Sequence, residues 1–215
     1  QLELLTKKML VTAATSIGTG ENSIPNRLRR GEPVDIVIVA DGVLAGFIKE
    51  GLILADSRTV LARSSIGMAV RAGAPKPAIS TADALKRTLL QAKSIGYSAS
   101  VSGDYVPTEL VQRLGIADQV LSKCRRVTGG ERVGAVVARG EAEIGFQQMS
   151  ELLPVAGIDH VTPLPPEFQK VAVFSAGVAV STRDSDAARA IIRFLASPEA
   201  ASAITESGME PIGNR

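Results

Sequence analysis

The sequence predicts an α/β protein of two lobes, and three observations support this fold class. Short apolar, β-branched runs alternate with amphipathic stretches, which is typical of βαβ units and a mostly parallel sheet. Aromatic residues make up 3% of the chain and Trp is absent, as suits buried strands packed against Ala-rich helices. Two apolar segments, residues 60–70 and 171–180, exceed the usual strand of about five to six residues. We therefore expect each segment to cross between the lobes as a hinge strand.

The crossing segments set the expected domain boundaries. Residues 1–64 plus 175–215 form lobe 1 and residues 65–174 form lobe 2, each predicted to be a mostly parallel sheet flanked by helices. A chain of 215 residues is long enough to bury the cores that two such lobes need. Ser and Gly stand in the middle of both segments, where a strand can bend.

Local signals define the elements between these segments. Pro25 falls in the first turn of one helix and Gly31 closes it, while Gly115 ends another. Ser80 and Asp83 have capping-box spacing and open a third helix. The predicted strands are residues 35–40, 94–98 and 143–146, and the other predicted helices are residues 21–30, 103–114, 130–139 and 187–195.

Composition excludes several classes of function. The chain carries 24 basic and 22 acidic residues, so it lacks the charge excess of a nucleic-acid-binding protein. A single His and a single Cys cannot form the usual zinc sets, and His160 is predicted to be a surface loop residue. Nucleotide-binding motifs are absent, and no apolar run approaches the ~20 residues that span a bilayer. We expect no metal, cofactor, nucleic-acid partner or membrane insertion, and no signal peptide is visible in the chain.

Three predicted helix starts are small, polar and rich in backbone N–H donors, a combination that suits anions. Each turn alone is as typical of an ordinary N-cap. Together, at the carboxyl ends of strands, they predict an anion site in the cleft between the lobes. Arg63 is either a charged donor to this site or a surface arginine at a strand edge. The candidate ligand-binding residues are Thr19, Gly20, Asn22, Arg63, Ser64, Ser65, Ser98, Ser100, Ser102, Gly103 and Gly130.

Three stretches of the chain match a known family. RGEPVDIVI at residues 30–38, RGEAEIG at 139–145 and FLASPEA at 194–200 resemble segments of the molybdate-binding-protein-like extracellular solute-binding proteins. The resemblance runs in order through nearly the whole chain. It implies a type II periplasmic-binding-protein fold, a periplasmic location, a small anionic ligand, no cofactor, and an ABC-type transporter as partner.

The resemblance also implies site residues. Residues 19–22, 100–103 and 129–131 correspond to oxyanion-binding loops of the family. Where molybdate binders carry a tyrosine after a late strand, this chain has Gln147 and Gln148, so Gln148 joins the candidate ligand-binding residues. The first strand of the family, with its serine-bearing loop, has no counterpart in lobe 1.

Residues 144–152 and 173–177 are more similar to a divergent branch that includes aconitate-isomerase-like proteins. This similarity implies an alternative function, isomerisation of an unsaturated tricarboxylate. Such a reaction needs a general base and donors for the developing negative charge. Glu21, Glu131, Asp104 or an assisted serine remain open as the base, while Arg63 and Arg132 would neutralise substrate carboxylates.

We predict capture of a small anion for a transporter as the first function and isomerisation as the alternative. Capture is the commonest role of this fold, and no catalytic base stands out in the sequence. The catalytic residue therefore stays unassigned. A ligand-binding domain of a regulator is a third reading, which the absence of a helix-turn-helix pattern disfavours.

Overall fold

The structure is a computed structural model that describes residues 11–14 and 20–212, without the side chains of residues 160–162. Thr19 of the predicted site lies outside the described residues. The chain divides into two compact units. Unit 1 contains residues 11–14, 21–63 and 173–212, and unit 2 contains residue 20 and residues 64–172.

Strands and helices alternate along most of the described chain. The strands are β1 (Ile36–Ala40), β2 (Thr59–Ser64), β3 (Ile66–Arg71), β4 (Ile95–Ser98), β5 (Cys124–Val127), β6 (Ile144–Gln148), β7 (Ile158–Pro163), β8 (Ala172–Val178) and β9 (Glu210–Pro211). The helices are α1 (Ile24–Arg29), α2 (Asp41–Lys49), α3 (Ala82–Gln91), α4 (Val101–Tyr105), α5 (Val111–Arg113), α6 (Ala117–Val120), α7 (Val133–Ala138), α8 (Met149–Leu152), α9 (Ser185–Leu195) and α10 (Ala201–Glu206). A π-helical segment, Val106–Leu110, joins α4 to α5.

The sheet of unit 2 has the strand order β5-β4-β6-β3-β7. Strand β4 is parallel to both β5 and β6, whereas β3 is antiparallel to β6 and β7. The chain enters β3 at the edge where β6 ends, so Ile66 at the start of β3 pairs with Gln148 at the end of β6. The prediction of a mostly parallel sheet is therefore correct for β4, β5 and β6 and wrong for β3 and β7.

Both faces of this sheet are covered, which explains the almost continuous apolar run of β3. On β3, Ile66 and Met68 belong to one core cluster and Ala69 to another, as the alternation of side chains along a strand requires. The first cluster is completed by helices α3 to α6, with Leu85 and Leu89 fully buried. The second is formed largely by α7.

The sheet of unit 1 has the strand order β1-β8-β2-β9, with β1 antiparallel to β8 and β2 antiparallel to β9. The expected mostly parallel sheet is wrong for these two pairs, since β8 and β9 enter the sheet from the opposite end. Helix α2 packs Leu44 and Phe47 against β1, and α9 contributes Ile192 to a second cluster.

Element boundaries differ from the predicted ones where a cap or a sharp bend decides them. Residues 60–70 form two strands of different sheets, interrupted at Ser65. Thr81 rather than Ser80 caps α3, its Oγ1 accepting a hydrogen bond from the Ala84 N–H at 3.2 Å. His160 lies within β7 and pairs with Ala69, so its assignment to a loop is wrong.

Candidate functional site

One edge of the unit 2 sheet gathers most of the polar residues that the sequence singled out. Parallel strands β4, β5 and β6 end there, and the antiparallel β3 begins there. We call this the polar edge and define it as residues 64–65, 98–103, 128–132 and 147–151. Within it, the Met149 N–H donates a hydrogen bond of 2.9 Å to the Ser65 carbonyl, which joins the start of α8 to the link between β2 and β3.

Three serine hydroxyls in the turn after β4 are linked in series by hydrogen bonds. The Oγ atoms of Ser98 and Ser100 lie 2.8 Å apart, and those of Ser100 and Ser102 lie 3.1 Å apart. Ser100 Oγ also accepts a hydrogen bond from the Gly103 N–H at 3.2 Å, which starts α4 two residues earlier than predicted. A Cβ on Gly103 would lie 2.0 Å from the Ser98 carbonyl oxygen, so this turn requires glycine there.

The turn after β5 is exposed and depends on consecutive glycines. Gly129 and Gly130 have φ of 72° and 78°, a conformation that favours glycine. Arg132 follows directly and is partly buried at the start of α7. The turn therefore brings a guanidinium group to the polar edge beside the predicted Gly130.

Two glutamines end β6, and both are buried. Gln147 Oε1 accepts a hydrogen bond from the Val133 N–H at 2.9 Å. Gln148 is 3% exposed, and neither its Oε1 nor its Nε2 has a hydrogen-bond partner among the described residues. A buried amide without partners costs about 1–3 kcal/mol. Gln148 is therefore the predicted site residue whose hydrogen-bonding capacity is least satisfied by the fold.

Glu151 was not among the candidates that the sequence suggested. It lies in α8, directly after the glutamines. Burial raises the pKa of the Glu151 carboxyl, while a contact with Gln147 and the charge of Arg132 act in the opposite direction. The signal for it was present in the sequence, because an acidic residue three positions after a buried strand falls at a ligand-binding sheet edge. The burial of its carboxyl was not readable from the sequence.

The remaining predicted ligand-binding residues differ in their exposure and in the groups that they contact. Ser64 is buried, with its Oγ 3.4 Å from that of Ser150, so it belongs to the polar edge. Arg63 is exposed near the end of β2, and its Nη2 lies 3.5 Å from Glu210 Oε2. Gly20 and Asn22 occupy an exposed turn before α1 and belong to different units.

Two of the three carboxylates first considered as bases are held in ion pairs. Asp104 accepts two hydrogen bonds from Arg126, at 2.8 and 3.0 Å. Glu131 lies 2.7 Å from Arg139. Glu21 is in the exposed turn before α1. The carboxylates of Asp104 and Glu131 are therefore already engaged by guanidinium groups.

Metal and membrane features are absent from the parts of the chain that the structure describes. Within residues 11–14 and 20–212, no group of three His, Cys, Asp or Glu side chains is arranged to hold a metal ion. None of the described helices has the length and apolar character needed to cross a bilayer.

The chain has the fold of the type II periplasmic binding proteins. It matches the periplasmic molybdate-binding protein of Azotobacter vinelandii with a TM-score of 0.75 and 18% identity, over 100% of this chain and 91% of that one. It matches a sulfate-binding protein of Mycobacterium tuberculosis with a TM-score of 0.65 and 17% identity, over 86% and 71% of the two chains. At such low identity these matches support the fold alone. The predicted fold class is confirmed.

Sequence comparison gives the family. The model of the bacterial extracellular solute-binding proteins matches residues 8–210, and the chain belongs to this family. The chain is also 45% identical over 205 residues to the aconitate isomerase of a Pseudomonas species, across 95% of this chain and 78% of that protein. The resemblance to this family and to its divergent branch is confirmed.

Proposed function

We propose that the polar edge of unit 2 binds a small organic anion with two or three carboxylates. The observation that carries this proposal is the buried amide of Gln148, which lacks hydrogen-bond partners among the described residues. A carboxylate oxygen can accept from its Nε2, and a ligand hydroxyl or water can donate to its Oε1. Ligand binding would then give this amide the hydrogen bonds that the fold does not provide, and so offset the free-energy cost of burying it.

The other groups at the polar edge suit the same ligand. The hydroxyls of Ser98, Ser100 and Ser102 are donors, and the guanidinium of Arg132 can pair with a carboxylate. Val101 stands among these serines and is 74% exposed. An apolar side chain beside polar anchors is typical of pockets that cover a carbon skeleton. This favours an organic acid over a bare oxyanion such as molybdate.

The first candidate function is isomerisation of aconitate, supported by the 45% identity to an aconitate isomerase along nearly the whole chain. A base removes a proton from the methylene carbon of aconitate, and the electron pair delocalises toward the adjacent carboxylates. The double bond shifts along the carbon skeleton as a proton returns to the former alkene carbon. The reaction is redox-neutral and needs no cofactor.

The second candidate is capture of the same kind of anion in the periplasm for an ABC-type transporter. Membership of the extracellular solute-binding family supports it. Both candidates use one binding site and differ in whether proton transfer follows binding. The transporter component would dock on the ligand-bound protein.

Calorimetric titration and ultraviolet absorbance separate these candidates. We expect cis- and trans-aconitate to bind more tightly than molybdate or sulfate, and each pure isomer to change slowly into a mixture when enzyme is added. Tight molybdate binding with no aconitate binding would contradict the organic-anion proposal. Binding of aconitate without any conversion would reject isomerisation and leave capture.

A further inference from the structure

The first residue of β3, Ile66, extends beyond the end of the neighbouring strand β7. The register between these strands shifts between Gly67 and Met68, and the last pair joins Gly67 to Pro163. Strand β7 ends there, and the chain continues into a short 3-10 turn, Pro166–Phe168. The buried N–H of Ile66 therefore needs a partner other than β7, because an unpaired backbone donor is costly inside a protein.

The side-chain amide of Gln169 supplies that partner. Its Oε1 accepts a hydrogen bond from the Ile66 N–H at 2.8 Å, and its Nε2 donates one to the Ile66 carbonyl at 3.0 Å. The same Oε1 accepts from the Lys170 N–H at 3.1 Å, which fixes the orientation of the amide. One side chain thus pairs with both main-chain groups of Ile66, as a neighbouring strand would.

Ile66 is in turn the cross-strand neighbour of Gln148, which it faces from β3. Its N–H and C=O point toward Gln169 and so away from β6. The two residues therefore form a non-hydrogen-bonded pair, the kind in which facing side chains are closest. Both are buried, so the Ile66 side chain packs beside the Gln148 amide on one face of the sheet. A shift of Ile66 would change the surroundings of that amide.

Tyr105, the last residue of α4, holds the segment that carries Gln169. Its hydroxyl donates a hydrogen bond to the Phe168 carbonyl at 2.7 Å and accepts one from Arg113 Nη1 at 3.1 Å. Tyr105 is buried, and α4 begins in the serine turn of the polar edge. The segment therefore connects the helix after this turn to the start of β3.

We propose that Gln169 is a positioning residue for the anion site. By holding Ile66, it keeps the amide of Gln148 in the conformation that binds the ligand. This inference rests on the proposed function, in which that amide binds an organic anion. Gln169 acts through Ile66 and needs no contact with the ligand, so its substitution should affect affinity only where Gln148 is present to respond.

The test is a double-mutant cycle of Gln169→Leu with Gln148→Met, in which calorimetry measures the Kd for trans-aconitate. Leu is similar in size to Gln and cannot bond to Ile66. We expect Gln169→Leu to raise Kd at least about fivefold in the otherwise unchanged protein and less than about twofold in Gln148→Met, because residues that act through one another are not additive. Gln119→Leu, at an exposed position of α6, is the matched control and should leave both Kd values within about twofold.

Three results would overturn the positioning role. An equal or larger rise of Kd in Gln148→Met would do so, since a general loss of structure does not depend on Gln148. A rise below about twofold in the otherwise unchanged protein would do so as well. Both results leave the proposed function standing. If the unchanged protein does not bind trans-aconitate, the proposed function fails and this inference with it.

If Gln169→Leu does not fold, Gln169→Glu takes its place in the cycle. It keeps an acceptor for the Ile66 N–H and loses the donor to the Ile66 carbonyl. Repulsion of the ligand by the new charge acts with and without Gln148. A larger rise of Kd when Gln148 is present would therefore support the role, and equal rises would reject it.

Discussion

The Gln148 side chain is a clear case of a residue whose conformation is costly without a ligand. Both polar atoms of its amide are buried and unpaired within the described part of the chain. Native proteins pair the large majority of such groups, so an exception of this kind calls for an explanation. Ligand binding supplies one, and it implies that stability and affinity respond in opposite ways to substitution here.

We predict that Gln148→Met leaves the free energy of unfolding unchanged or raises it by about 1–2 kcal/mol, because a buried unpaired amide is replaced by an apolar side chain of similar size. The affinity for aconitate should fall at least about tenfold, equal to about 1.4 kcal/mol. Urea unfolding and calorimetry measure the two quantities. The exposed Gln119→Met is the control, and a large loss of stability with unchanged affinity would contradict the account.

Gly103 is constrained by the close approach of a neighbouring backbone carbonyl rather than by its own φ angle. We predict that Gly103→Ala costs about 1–3 kcal/mol of unfolding free energy, because its Cβ would collide with the Ser98 carbonyl. In the helix α2, a Cβ on Gly42 would meet nothing within 4 Å, so Gly42→Ala should instead stabilise the protein by about 0.5–1 kcal/mol. Thermal or urea unfolding of both variants checks this, and equal effects would refute the packing argument.

At the scale of elements, Asp41 joins the start of α2 to β8. Its Oδ1 accepts hydrogen bonds from Ser175 Oγ at 2.6 Å and Arg58 Nε at 2.8 Å. Arg58 Nη2 reaches the second oxygen at 2.6 Å. The fully buried Ser175 belongs to the central part of β8. This group of three side chains fixes the β1–α2 junction against the neighbouring strand.

The stability that Asp41 contributes at this junction should depend on pH. Hydrogen bonds from Arg58, then from Ser175, hold the pKa of Asp41 below its ordinary value. Its contribution to stability is therefore complete above the unfolded pKa of about 3.9 and is lost as pH falls through the lower folded value. Asp41→Asn should cost about 1–2 kcal/mol at pH 7 and progressively less toward pH 2. Urea unfolding across this range tests it, with Asp118→Asn as a control. A pH-independent cost would contradict it.

Elements were predictable wherever a local signal decides them. The glycines at positions 31 and 115 end helices as expected, with φ of 75° and 66°. The strand directions in the sheets were not predictable, because they depend on where the chain re-enters each sheet after a long excursion. The antiparallel pairing of Ile66 with Gln148 joins residues far apart in sequence, and no local pattern encodes it.

At the scale of the whole molecule, alternating apolar runs were enough to predict the α/β class. The turn of Ser98, Ser100 and Gly103 could also be proposed as polar and helix-initiating, because those residue types have few other roles after a strand. The burial of Gln148 and the burial of the Glu151 carboxyl could not be predicted, because both depend on the tertiary packing around the end of β6 and around α8. The sequence therefore predicted the hydroxyl donors of the polar edge but not its buried carboxyl group.

Ligand binding should also stabilise the protein as a whole. Trans-aconitate at about 100 times its Kd adds about 2.7 kcal/mol to the free energy of unfolding, because the folded state alone binds it. We predict a corresponding rise in Tm by calorimetry, with molybdate at equal concentration as the control. A rise with molybdate and none with aconitate would show that the ligand class is wrong.

A crystal structure of the protein with trans-aconitate tests the central proposal most directly. We predict that the ligand is seen with a carboxylate on the amide of Gln148 and another polar group on the hydroxyls of Ser98, Ser100 or Ser102. Aconitate bound at a different surface, with the amide of Gln148 left unengaged, would contradict the account.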